Sequence, residues 1–185
     1  MLSWAFKEWD VAITALLRGD TVLLLRKGGI REQQGQFTVA AHQALLLPTF
    51  EHQDATVLKP AYQPLIVDPA ATNSSDIVCF HGWAEITQVM AVPSAAAAMA
   101  LLPYLIWNQR FIEERLRWQP DRPLYGLLLR AYRMAIPLTL PRHAGYRGCR
   151  SWVELGQMVE GDASTPAMTE AVYQSQVEAI LAAVS

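Results

Sequence analysis

Two short apolar runs that end in charge constrain this chain more than any other feature. The first is Val22-Leu23-Leu24-Leu25, followed by Arg26-Lys27-Gly28-Gly29-Ile30-Arg31-Glu32. The second, Leu45-Leu46-Leu47, leads through Pro48-Thr49-Phe50 to Glu51-His52-Gln53. Runs this short, closed by glycine or proline, predict buried strands rather than long helices. A core strand with ionisable groups at its end delivers them to the rim of a fold, where rigidly held loops place binding and catalytic side chains.

The rest of the chain can bury such strands. It has 185 residues, 52% hydrophobic and 17% charged, which excludes disorder over most of its length and predicts a single domain over 1–185. Within it, 54–76 carries Pro60, Pro64, Pro69 and Thr72-Asn73-Ser74-Ser75 and reads as a long surface loop, and 156–166 reads as a linker to a C-terminal helix. Hydropathy never persists for the roughly 20 residues that a membrane span needs. With no basic-then-apolar leader at Met1, a cytoplasmic location with no membrane partner is expected. Cys79 and Cys149 are then expected as reduced thiols.

Helical spacing predicts a helix from Trp4 to Arg18, capped by Ser3 and stopped by Gly19. Thr21–Arg26 reads as a buried strand, 37–39 and 44–47 as short strands, with Pro48 as a break. Ile77–Val92 reads as a strand bent at Gly82. Ser94 caps an alanine-rich helix to Leu102, and Pro103 opens a second helical pattern through Phe111, Ile112 and Leu116. Leu124–Met134 reads as a core strand, Ser151–Leu155 as a short strand, and Thr165-Pro166 as the start of a helix to Ala183.

The strings LLLRKGGIRE at 23–32, LLLPTFEHQ at 45–53, PLYGLLLRAYRM at 123–134 and GYRGCRSWVEL at 145–155 resemble a bacterial, mainly cyanobacterial family, domain of unknown function 1802. That resemblance implies a bacterial, cytoplasmic protein and carries no chemistry. The order of a helix ending near glycine, a strand ending in Arg-Lys-Gly-Gly, then GWAEITQV, helices and LLLRAYRM, also looks like PUA and ASCH β-barrels. It implies an α+β fold, a mainly antiparallel, PUA-like partly closed β-barrel with N-terminal, central and C-terminal helices. Such barrels bind RNA or modified bases beside the first basic strand.

The candidate ligand-binding residues are Arg26, Lys27, Gly28, Gly29, Arg31 and Glu32 on one wall, with Glu51 and His52 opposite. Glycines permit close backbone approach, so amides with Arg and Lys could cradle a phosphate, although no P-loop spacing occurs. Glu51 and His52 could do acid–base work, but neighbours on a strand point to opposite faces unless the segment turns. His42, His52, Cys79 and His81 lack paired zinc spacing, so no metal site and no cofactor is expected.

Net charge is -2, but nine arginines between Arg110 and Arg150 face three acids, and five acids follow with no base. Aromatics are interleaved with those arginines at Trp107, Phe111, Trp118, Tyr132, Tyr146 and Trp152, a pattern suited to stacking bases and pairing phosphates. The plain alternative is core aromatics beside a solvated face, with Arg115 and Arg117 paired to Glu113, Glu114 or the acidic tail. The reading is a non-enzymatic module for RNA, single-stranded DNA or a nucleotide. The alternatives are a metal-dependent hydrolase or nuclease using Glu32, Glu51, His52 and Lys27, and a protein-interaction domain of a signalling system.

Overall fold

The computed structural model describes residues 1–27, 31–33, 36–68, 76–142, 144–146, 148, 150–161 and 163–184; for 31–33, 36–38 and 144 only the backbone is described. The chain opens with a strand, β1 (Leu2–Trp9), and the first helix, α1, spans only Asp10–Arg18. The expected helix from Trp4 is therefore wrong in its first half. β1 pairs in parallel with β5 (Gln43–Thr49) and antiparallel with β8 (Trp152–Val159), so it lies inside the sheet. Leu2 and Ala5 pack in one cluster and Phe6 in another. A strand buried on both faces loses the two-residue alternation that would announce it.

β2 (Leu23–Arg26), β6 (Ile77–Val92) and β7 (Leu124–Pro141) complete the path, in the order β2-β7-β6-β5-β1-β8. Every named pair is antiparallel except β1 with β5, which bears out the mainly antiparallel α+β expectation. β2 and β8 end the path, and no pair among the described residues joins them. β3 (Arg31–Gln33) and β4 (Gln36–Thr38) form a separate two-stranded sheet.

The leucines of β5 show how the sheet divides two cores. Leu46 packs with the helices, while Leu45 and Leu47 belong to a strand-built cluster with Phe80, Val153 and Leu155. The helical side takes Val11 and Leu16 of α1, Ala98 of α2 (Ala95–Ala100), Phe111 and Ile112 of α3 (Gln109–Arg117), and Tyr173 and Ile180 of α4 (Glu170–Val184). Pro48 does not break β5; it pairs opposite Glu8 of β1. The β6 partners of β5 stop at Leu45, so no ladder on that side calls on the missing N–H.

Gly82 explains the bend expected in β6. A Cβ there would lie 2.3 Å from the Tyr132 carbonyl oxygen and 2.5 Å from Leu17 Cδ2, and the β6–β7 register shifts between Phe80 and Gly82. Only glycine lets the two strands and α1 approach this closely.

Two further expectations change. The segment expected as a linker, 156–166, carries the second half of β8 and all of β9 (Ser164–Pro166), which pairs with Tyr132–Met134 of β7. Thr165-Pro166 is thus strand, and α4 starts at Glu170, where the Thr169 hydroxyl accepts from Val172 N–H at 3.4 Å. The 54–76 segment contains two short 3-10 helices, Ala55–Val57 and Gln63–Leu65, and buries Val57 and Leu58. Part of it is anchored rather than free.

Candidate functional site

The end of β2, the end of β1, the turn after β5, α3 and the segment before β8 meet around a cleft of about 610 Å³. That is within the size range of small-ligand sites. Its lining includes Arg26, Lys27, Glu51 and His52 of the residues singled out in the sequence. Residues 51 and 52 form a turn in which His52 takes φ 61°, a left-handed conformation that lifts the strand rule and lets both side chains border one space. Gly28 and Gly29 lie outside the described residues. Arg31 and Glu32 lie in β3, opposite Thr38 and Phe37, and their side chains are outside the description.

Both cations at the end of β2 are engaged by the protein itself. Arg26 donates from Nη1 to Ser151 Oγ at 2.5 Å, and from Nη2 to the Lys7 carbonyl at 2.8 Å and to Glu8 Oε2 at 2.5 Å. Its guanidinium lies 4.5 Å from the Phe6 ring centroid, and only its buried Nε lacks a partner. Lys27 is 5% exposed. Its Nζ donates to the carbonyls of Leu116, Trp118 and Gln119 at 3.3, 2.8 and 3.1 Å. Those carbonyls stand at the C-terminal end of α3, where the helix dipole and unpaired oxygens favour a cation. Lys27 therefore fixes the end of α3 and has no N–H left for a ligand.

The helix that Lys27 holds supplies the groups that sequence reasoning did not assign to the site. Trp107, Phe111, Arg115 and Trp118 all line the cleft. Asn108 caps α3 by accepting from Phe111 N–H at 3.4 Å, and the Trp107 and Phe111 rings stack at 4.5 Å. Trp9, from the end of β1, meets Trp107 edge-on at 6.4 Å. Arg115 stacks over Phe111 at 4.9 Å and has no hydrogen-bond or ion-pair partner among the described residues. Burial pushes its pKa below the ordinary arginine value; Glu8 draws it up, Arg26 beside it pushes it down. Since Glu8 is already shared with Arg26, Arg115 is left as a half-buried cation without a dedicated counter-ion.

Arg150, exposed on the segment before β8, also lines the cleft and has no partner among the described residues. Lys7 is tied to the Gly148 carbonyl at 2.8 Å. Glu51 is exposed at the rim, and the other acid of the lining, Glu8, is bonded to Arg26. The result is a cleft with aromatic walls and a surplus of cations, able to hold a planar ring and an anion together.

The signal for these residues is present in the sequence. Trp107, Phe111, Arg115 and Trp118 follow helical spacing, so Arg115 shares the face of the buried Phe111 rather than the outer face. Its expected partner Glu114 is instead bonded to Arg110 at 2.7 Å, and Arg117 donates to the Glu113 carbonyl at 3.3 Å. Elsewhere the interleaved aromatics are structural: Tyr132 stacks on Trp83 at 4.1 Å, and Tyr146 meets Phe80 edge-on.

Among the described residues no group of three or more His, Cys, Asp or Glu side chains could hold a metal ion. His42 Nδ1 lies 3.2 Å from the Ile86 carbonyl, and Cys79 is a free thiol; Cys149 lies outside the described residues. No helix among the described residues is long and apolar enough to cross a membrane.

Comparison with known proteins gives two findings. The chain is similar to crystal structures of two mutants of the ASCH protein ZmASCH from Zymomonas mobilis, one serine-to-alanine and one tyrosine-to-phenylalanine, at 12% and 10% identity. Each alignment covers 95% of this chain and 94% or 96% of the other, with a TM-score of 0.39, a likeness too distant to speak for the site. No match is found among curated proteins. A family model described as a domain of unknown function matches residues 5–179, nearly the whole chain, and the protein belongs to that family, DUF1802.

Proposed function

We propose that this protein binds nucleic acid or a nucleotide in the cleft between β1, β2 and α3, and that binding rather than turnover is its role. One observation carries the reading: a half-buried arginine, Arg115, stands in an aromatic wall without an ion-pair partner among the described residues, its nearest acids Glu8 and Glu114 being bonded to Arg26 and Arg110. Holding a cation out of water without a partner costs free energy, and a phosphate entering the cleft would recover it. Trp118, 51% exposed at the same wall, offers a ring face for a base.

The part played by each group follows from its partners. Arg26 and Lys27 shape the wall and set a positive potential. Arg115 and Arg150, whose side chains have no hydrogen-bond partner among the described residues, supply donors, and Trp9 and Trp118 supply stacking surface. Glu51 and His52 border the opening, where His52 could donate to a ligand oxygen.

The test is binding of a labelled single-stranded RNA as salt is varied. A nucleic-acid cleft gives a log–log slope that grows by about 0.7 for each phosphate engaged. Arg115→Ala is expected to weaken binding by about tenfold or more, the loss of one strong charged hydrogen-bonding group. If neither single strands nor nucleotides bind at low salt, the reading fails.

A further inference from the structure

We infer that the cleft recognises a phosphate monoester carried by a nucleoside, as on a free nucleotide or at the end of a strand, rather than a phosphodiester inside a strand. This rests on the nucleic-acid or nucleotide reading above and narrows it to one chemical group.

Two observations lead there. The first is depth. Arg115 is half-buried in the wall beside Phe111 and Trp107, which are 4% and 2% exposed, whereas Trp118 on the same wall is 51% exposed. The free cation is thus the inner group and the free ring the outer one. A phosphodiester has chain leaving on both sides, so seating it against the inner group requires two strands of backbone to pass the aromatics. A terminal phosphate has one substituent, and that substituent, the nucleoside, ends at the ring.

The second is charge. Arg26 is taken by Glu8 and Ser151, and Lys27 by the α3 carbonyls. Two guanidiniums, Arg115 and Arg150, border the cleft with no partner among the described residues. A monoester carries about -1.5 to -2 charges near neutral pH and three acceptor oxygens, against -1 for a diester. Two guanidiniums at one cleft match the first in charge and in number of donors. Glu51, the remaining acid among the described residues of the lining, is exposed, so solvent screens its repulsion.

The experiment is calorimetric titration of the full chain with adenosine monophosphate, with one short single-stranded RNA bearing a phosphate at its 5′ end, its 3′ end or neither, and with inorganic phosphate. The expected result is that a monoester ligand binds about tenfold or more tightly than the unphosphorylated strand, the margin of one charged hydrogen-bonding interaction. Arg115→Ala should bring that ratio near unity while the melting temperature stays close to wild type. Binding of the mononucleotide as tightly as the strand would mark a free nucleotide as the ligand; preference for the phosphorylated strand would mark a strand end. Equal binding of phosphorylated and unphosphorylated strands overturns the inference and leaves the broader reading standing. Inorganic phosphate binding as well as the nucleotide also overturns it, because the ring would then contribute nothing. Absence of binding by every ligand overturns both.

Discussion

The end of β2 and the end of α3 each bring arginine or lysine to the same cleft, yet they use it in opposite ways. Arg26 and Lys27 make six hydrogen bonds to their own protein, to Ser151, Lys7, Glu8, Leu116, Trp118 and Gln119. The Arg115 side chain, 4.9 Å from the Phe111 ring centroid and pushed down in pKa by the charge of Arg26, makes none to the described residues. A basic residue at a rim is therefore not evidence of a ligand until its donors are counted. The engaged pair builds the cleft, and the idle arginine is the group that a ligand can still reward.

Removing Lys27 is the strongest way to break that contrast. Lys27→Ala strips the last carbonyls of α3 of three charged donors and empties a buried position, an expected loss of about 2–4 kcal/mol. For a chain of this size the melting temperature should fall by roughly 5–15 °C, as calorimetry would show. An unchanged melting temperature would mean that Lys27 is free for a ligand after all.

Arg26→Ala should cost less, about 1.5–3 kcal/mol. It leaves the Glu8 carboxylate, whose side chain is 12% exposed, without its cation and removes the stacking on Phe6. The loss is partly offset, because the buried Nε that has no partner disappears too. Chemical denaturation of Arg26→Ala beside Lys27→Ala would sharpen the ranking. Should Arg26 prove the costlier, the ion pair rather than the helix end is what holds the cleft.

What could be read in the sequence follows the same division between local and shared determinants. The strand at Leu23–Arg26 and the Ser94 cap were legible because each is announced by residues next to one another; the Ser94 hydroxyl accepts from Ala97 N–H at 3.1 Å. The bend at Gly82 was legible from the glycine itself, although its cause, the close approach of Tyr132 and Leu17, was not. β1 was not legible, because its place inside the sheet comes from β5 and β8, which lie far along the chain. Glu51 and His52 line the same cleft as Arg26 and Lys27, but the turn that lets both face it depends on a left-handed His52 that no residue pattern announces. The charge run of 110–117 could be read either as a base-stacking pattern or as a solvated face, and its spacing alone did not decide between them. One of its arginines, in register with Trp107, Phe111 and Trp118, belongs to the other side of the helix.

The smallest expected effect on stability is the most telling. Arg115→Met keeps the apolar stem against Phe111 and deletes a charge that has no ion-pair partner of its own among the described residues. The lost cation–π contact is worth about 0.5–1 kcal/mol at such a site, and relief of the buried, unpaired charge acts in the opposite direction by a similar amount. The net change in stability should lie within about 0.5 kcal/mol of zero, the range of a substitution without a structural role. Ligand affinity should nonetheless fall at least as far as in Arg115→Ala, since both lack the guanidinium. Thermal melting and titration of the same sample separate the two quantities. A large drop in stability would place Arg115 with Arg26 and Lys27 as a builder of the cleft, and the contrast between the two ends would disappear.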